Sequence, residues 1–366
     1  MQILSVNRTD TTIKEGQKVL NLLMAVLLAI LLFTSCQREH KDPIPDVSHI
    51  EIETEFIHYD SLLRVHMEKG VEGLKNLKEK HPAFSDIYFH RILQIWDPEE
   101  PLDSLYHRMD EFMASDFYRD IQDTIHAAIP DFEPIKREYE QALHYYHYYF
   151  PHKNVPPVYL FISEFTFANI IFEDENGGDA LGIGIDMFCH GHFDYTVLSY
   201  FNTMFSAYNV RTLNPDHIIK KTFDARWDGL LGPEPRGRMI DIMLHYGKKH
   251  HLNKLVLPHA QDTVIFEYTP EQMQWVRDNE AQIYNHLIEN DMLYTTDMVK
   301  YSRLVNPSPH SPGMPPEAPG QVVNWLGYQI IRAWVRNNPD KTLTDLLEIR
   351  DGHDFLMQSR YRPGRY

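Results

Sequence analysis

The chain carries two cysteines, and each stands in a context with its own chemistry. Cys36 closes a segment that begins with the positive Lys14 and Lys18, continues as the stretch Leu20 to Phe33, apolar but for Asn21, and ends in the small residues Thr34 and Ser35. Charge, greasy core and small residues in that order mark a cleaved export signal. A cysteine at the cut site makes it a bacterial lipoprotein signal, whose thiol receives a diacylglycerol anchor with palmitate among its acyl chains. Phe33 stands where such signals usually carry Leu. A transmembrane anchor is the competing reading, but Leu20 to Phe33 falls short of the ~20 apolar residues that a spanning helix needs. The second thiol lies in Cys189-His190-Gly191-His192. Thiolate and imidazole are good zinc ligands, yet a closed site needs further ligands that this sequence does not place. A polar loop beside a buried cysteine is the plainer reading.

Other spacings can be tested for exported hydrolase chemistry. A zinc protease needs HExxH, two His one helical turn apart with Glu as general base. None of the 21 histidines is followed by Glu. The inverted HxxEH form, the GxSxG nucleophile elbow and the GxxxxGK[ST] phosphate loop are absent too. GIGIDM lacks the third Gly of a dinucleotide turn. Asp241 and His245 stand four apart on an expected helix, which is ligand spacing. Met239, Ile240, Ile242, Met243, Leu244 and Tyr246 form the apolar arc of that helix, which leaves the pair on the opposite, solvated face. His250, His251 and His259 read as surface residues near a helix end. The run HYYHYYFPH (144–152) reads as a packed helix with tyrosine hydroxyls at its rim.

These residues must be held by elements. HIEIETEFIHYD (49–60) alternates as a short strand, and residues 61–80, 103–127 and 133–149 carry helical spacing. VYLFISEF, TFANIIFE and DALGIGIDMF read as strands, with a hairpin turn at Asn176-Gly177-Gly178 and with Leu181, Ile183 and Ile185 on one face. Helices follow at 235–252 and 269–290, the second opened by Thr269-Pro270 with Gln272 completing a capping box. A proline-rich loop (306–319) precedes a last long helix that ends at Pro339, and Thr342 starts a short one. Gly327 lies inside the long helix, where its cost of about 1 kcal/mol against Ala points to close helix–helix approach. The order helices, small sheet, helices argues for an α+β, mostly helical fold.

The formal charge is −17. Residues 1–35 hold Arg8, Lys14 and Lys18 against Asp10 and Glu15, so their removal takes the chain from −17 to −18. Such an acidic surface repels phosphates, which argues against nucleic-acid partners. With one cysteine spent on lipid, the mature chain has no intramolecular disulfide and must stand on its core alone. The expected organisation is a signal peptide over 1–35, a lipidated polar tether over 36–48 and one α+β domain over 49–366.

Five segments, YYFPHKNVPPVYLFISEF, GIGIDMF, RGRMIDIMLHYGK, YTPEQMQWVRDNEAQIYNHLIENDMLYTTD and PGQVVNWLGYQIIRAWV, resemble the GldB-type gliding-motility lipoproteins of the Bacteroidetes. The likeness covers roughly residues 50–365. It implies a zincin-like metallopeptidase scaffold that has lost its metal site. On that scaffold the HExxH helix falls on Met243-Leu244-His245-Tyr246-Gly247, Glu280 stands as the surviving third ligand, and Asp186, Met243, Gly247 and Glu280 mark a vestigial cleft. One glutamate does not hold a catalytic zinc. The resemblance therefore implies a non-catalytic accessory lipoprotein without cofactor. It would be anchored in the cell or outer membrane, face the periplasm, and bind envelope proteins of the motility or secretion machinery through the old cleft. The alternative is a cryptic zinc metallohydrolase that draws ligands from His190, His192, Asp241, His245 and Glu280.

Overall fold

Short strands with apolar side chains on both faces need cover on both sides, and the fold supplies it with helices. A computed structural model describes residues 43–364. The signal segment and Cys36 lie outside the described residues. Residues Ile44–Gly364 form one compact unit. Val47 is buried and its carbonyl accepts the Ile50 amide at 3.1 Å.

Four strands form one sheet in the order β1-β2-β4-β3: β1 (Phe56–His58), β2 (Val158–Phe161), β3 (Asn169–Glu173) and β4 (Asp179–Gly184). β1, β2 and β4 run parallel, and β3 returns antiparallel to β4 through the turn at 174–178. Asp174 fastens that turn by accepting the Asn176 and Gly178 amides, each at 2.8 Å. The alternation seen in the sequence decides the packing. Tyr159, Phe161, Phe172 and Ala180 face a core built by the N-terminal helices with Tyr59, Phe84, Tyr88 and Phe89. Leu181 and Ile183 pair in register with Val158 and Leu160 on the other face, which the Ile218–Leu231 helix covers. Gly182 keeps the first face flat, since a Cβ there would come within 2.6 Å of Ile170 and 2.9 Å of the Phe161 ring.

The α+β, mostly helical class stands as expected, with several boundaries moved. The stretch 61–80 is two helices, Tyr59–Met67 and Gly70–Lys80, broken where Gly70 takes a φ of 72°. The stretch 103–127 breaks at Ser115, whose hydroxyl caps the second helix by accepting the Tyr118 amide at 3.1 Å. Residues 269–290 divide at Asn279 into Pro270–Asp278 and Glu280–Glu289, and the Thr269–Gln272 capping box is present. The C-terminal helix Gly352–Ser359 is an addition to the sequence reading.

The Met239–Val256 helix runs through the middle of the second half and is buried on nearly every side. The Val322–Asn337 helix crosses it at Gly247 and Gly327. A Cβ on Gly247 would sit 2.5 Å from the Gly327 carbonyl carbon, and one on Gly327 would overlap the Met243 carbonyl oxygen. The close approach inferred from Gly327 is therefore met, glycine against glycine.

Candidate functional site

The strand β2 ends in a tight turn at Ser163 to Phe167, where Glu164 and Phe165 adopt positive φ values of 54° and 61°. Non-glycine residues enter that region only when neighbours hold them there, and Asp186 is the holder. Its carboxylate is fully buried. It accepts the Ser163 amide at 2.9 Å, the Phe165 amide at 2.6 Å and the Ser163 hydroxyl at 3.1 Å. Burial nevertheless pushes its pKa up to about 6, against the opposing pull of those hydrogen bonds. The Tyr195 hydroxyl donates to the Asp186 carbonyl at 2.5 Å and accepts the Cys189 amide at 2.8 Å. Burial, aided by the Asp186 charge, raises the Cys189 thiol to about 12, so it stays protonated and unreactive at neutral pH.

From this knot an aromatic column leads outward. Phe165 stacks on Phe193 at 4.3 Å, Phe193 meets Tyr195 edge-on at 5.0 Å, and Tyr195 stacks on Phe205 at 6.0 Å. The column roots an excursion of short turns, Tyr195–Leu198 and Thr203–Phe205. Asp194 and Asn202 cap these turns by accepting the Thr196 amide at 3.0 Å and the Met204 amide at 2.9 Å. At the tip, Tyr200 is 91% exposed and Phe201 82%, with Val197 at 62% beside them. The rings of Tyr200 and Phe201 contact each other edge-on at 5.4 Å. Large apolar side chains held in water in this way mark a binding surface. The sequence did carry a signal that composition totals conceal: residues 195–210 contain no Asp, Glu, Lys or Arg.

The residues singled out from sequence distribute as follows. Cys189 is buried beside a polar loop, as expected, with His190 and His192 exposed. Asp241 and His245 are not on a solvated face. The helix that bears them has no free side, because the helices around it cover its polar positions as well as its apolar arc. Asp241 pairs with Arg238 at 2.8 Å and accepts the Gly352 amide at 2.9 Å, which fastens the helix start to the Gly352–Ser359 helix. His245 is buried, and that burial together with nearby Lys249 lowers its pKa to about 4. His250 and His251 are buried too, contrary to the surface reading, for the same reason; His259 is exposed.

Asp186, Met243, Gly247 and Glu280, expected along a vestigial cleft, are all buried. Asp186 is filled by its own turn, and Met243 and Gly247 lie at the helix crossing. Glu280 accepts the Tyr361 hydroxyl at 2.7 Å and the Gly364 amide at 3.3 Å. Among the described residues, no group of three or more His, Cys, Asp or Glu is arranged to hold a metal ion. The ligand set His190, His192, Asp241, His245 and Glu280 is thus not brought together.

Sequence reasoning also missed a buried charge network. Lys220 bridges Asp224 and Glu267, each at 2.7 Å, and Lys221 reaches Glu267 at 2.9 Å. Burial opposes the Glu267 charge, but Lys220 and Lys221 outweigh it and hold the carboxyl well below its ordinary range. Asn253 extends the network from the central helix. It donates to Asp224 at 2.8 Å and accepts the Trp227 indole N–H at 2.7 Å. The four-residue spacing of Lys220 and Asp224 was visible; the approach of Glu267 depends on tertiary folding.

The family model for gliding motility protein GldB matches residues 40–363. No curated protein and no solved structure matches the chain. Among the described residues, no helix is long and apolar enough to cross a membrane.

Proposed function

The chain belongs to the GldB family of gliding motility proteins, and from that premise we propose that it is a non-catalytic accessory lipoprotein of the motility or envelope secretion machinery. On this reading Cys36 carries the lipid, the domain faces the periplasm, and envelope proteins are its partners. Family membership over residues 40–363 carries the reading. Two features of the site agree with it. The acids and imidazoles that a hydrolase would use, Asp186, Asp241, His245 and Glu280, are buried in packing or engaged in structural hydrogen bonds. The Tyr200-Phe201 tip and Met298-Val299 are instead exposed and apolar.

Partner binding then uses the outer surface rather than a relic of a peptidase cleft. One candidate surface lies around the Tyr294 hydroxyl, which bonds His353 Nδ1 at 2.7 Å. Tyr294, Met298, Val299 and Met357 are exposed in the segments that this contact joins. A photo-crosslinker at Val299, introduced into the full-length protein in its own envelope, tests the proposal. Capture of a discrete envelope protein, lost when Met298 and Met357 are changed to Glu, is the expected result. Stoichiometric zinc in the purified full-length protein, with peptide hydrolysis that a chelator abolishes, would overturn the non-catalytic reading.

A further inference from the structure

The aromatic tip at Tyr200-Phe201 calls for an occupant, and three observations specify one. First, the tip is preorganised. The Phe201 and Asn202 amides both donate to the Leu198 carbonyl, at 3.0 and 3.2 Å, and the column from Phe165 to Phe205 fixes the base. Little ordering entropy remains to be lost on burial. Second, the tip is electrically silent. In a chain of formal charge −17, residues 195–210 carry no ionised side chain; the exposed Asp194 carboxylate stands at the root of the excursion, so the tip itself brings no charge to be desolvated on entering an apolar medium. A tyrosine ring, apolar in its body and polar at its hydroxyl, is favoured at a bilayer interface, where one end is wet and the other greasy. Third, on the lipid-anchored reading the bilayer is close to the start of the domain. From Cys36 to Pro43, the first described residue, there are 43 − 36 = 7 steps, which at about 3.5 Å each span no more than about 25 Å.

We propose that the 195–205 excursion is a bilayer wedge: Tyr200 and Phe201 enter the headgroup region of the membrane that holds the lipid, giving the domain a second point of attachment and hence a fixed orientation. A single acyl-type anchor allows a domain to roll, and a second weak contact gains strength from the high effective concentration that the tether imposes. The contact needs no anionic lipid, since the tip offers no positive charge. The proposal rests on the lipid-anchored reading above.

The test uses the full-length lipidated protein reconstituted in protein-free vesicles of zwitterionic phospholipid. An environment-sensitive fluorophore is placed at Phe201→Cys, with Glu111→Cys on the exposed side of the Leu102–Ala114 helix as control; Cys189 is buried and escapes labelling. The expected result is a blue-shifted emission at 201, quenched by lipids brominated near the headgroup and shielded several-fold from aqueous iodide, with the label at 111 open to iodide. Equal iodide access at 201 with and without vesicles overturns the wedge, as does equal shielding at both positions. Shielding that occurs only in native envelope membranes assigns the tip to a protein and overturns it too. A chain that fails to float with the vesicles, with Cys36 unmodified by mass spectrometry, defeats the anchored reading itself and is told apart by that readout.

Discussion

Asp186 shows how much one side chain contributes here. Three donors converge on a carboxylate that water does not reach, and the turn they hold supports the root of the exposed loop. Replacement by Ala leaves those donors without a partner. Because each orphaned donor costs on the order of 1–3 kcal/mol, Asp186→Ala should lower unfolding free energy by about 3 kcal/mol or more in urea titrations. Asp186→Asn keeps one acceptor and should cost less. The pH dependence follows from the raised folded-state pKa of about 6, against the ordinary carboxyl value of 3.8. Between those values the native state binds more protons than the unfolded state. This group therefore lowers stability as pH rises through the window and restores it as pH falls. Asp186→Asn should remove that slope, which is read as the difference between wild-type and variant denaturation midpoints from pH 4 to pH 7. Identical slopes in both proteins would show that the carboxylate titrates normally.

At the scale of elements, the crossing of the Met239–Val256 and Val322–Asn337 helices is the contact on which the second half of the domain is built. Gly327 is the position where an added methyl group meets rigid backbone, the Met243 carbonyl, rather than a side chain able to move. Gly327→Ala should destabilise by about 1–3 kcal/mol, the usual cost of overpacking. Gly229, in the Ile218–Leu231 helix, offers the control: an added Cβ there finds only Ile171 at an ordinary 3.7 Å. Gly229→Ala should therefore stabilise by about 0.5–1 kcal/mol, the helix-interior difference between the two residues. Thermal melts of the two variants should move in opposite directions. The same crossing explains why Gly247 is small. Its size fits helix packing without any reference to a lost metal ligand.

At the scale of the whole molecule, the proposal joins attachment to a membrane with display of an apolar loop. Cys36→Ser should abolish incorporation of labelled palmitate and leave the signal segment uncleaved. The band would then run larger by the mass of residues 1–35, because on the proposed reading the thiol is both the acylation site and the mark for cleavage. Persistent labelling in that variant would place the acyl chain elsewhere.

Much of this was legible along the chain. The capping box at Thr269, the hairpin at 174–178 and the sheet face of β4 rest on local rules: backbone amides at a helix start need acceptors, tight turns need Gly, and strand side chains alternate. Family likeness was legible for the same reason, since it lives in contiguous text. The faces of the Met239–Val256 helix were not. A polar arc predicts solvent only when no other element arrives to cover it, and here the surrounding helices bury His245, His250 and His251 and partly cover Asp241. Burial is a property of what packs against a surface, so it belongs to the tertiary structure. So do the gathering of Ser163, Phe165 and Tyr195 around Asp186 and the exposure of Tyr200 and Phe201. Sequence determined which groups were available and how each short segment would bend; the packing of distant segments decided which groups water would see.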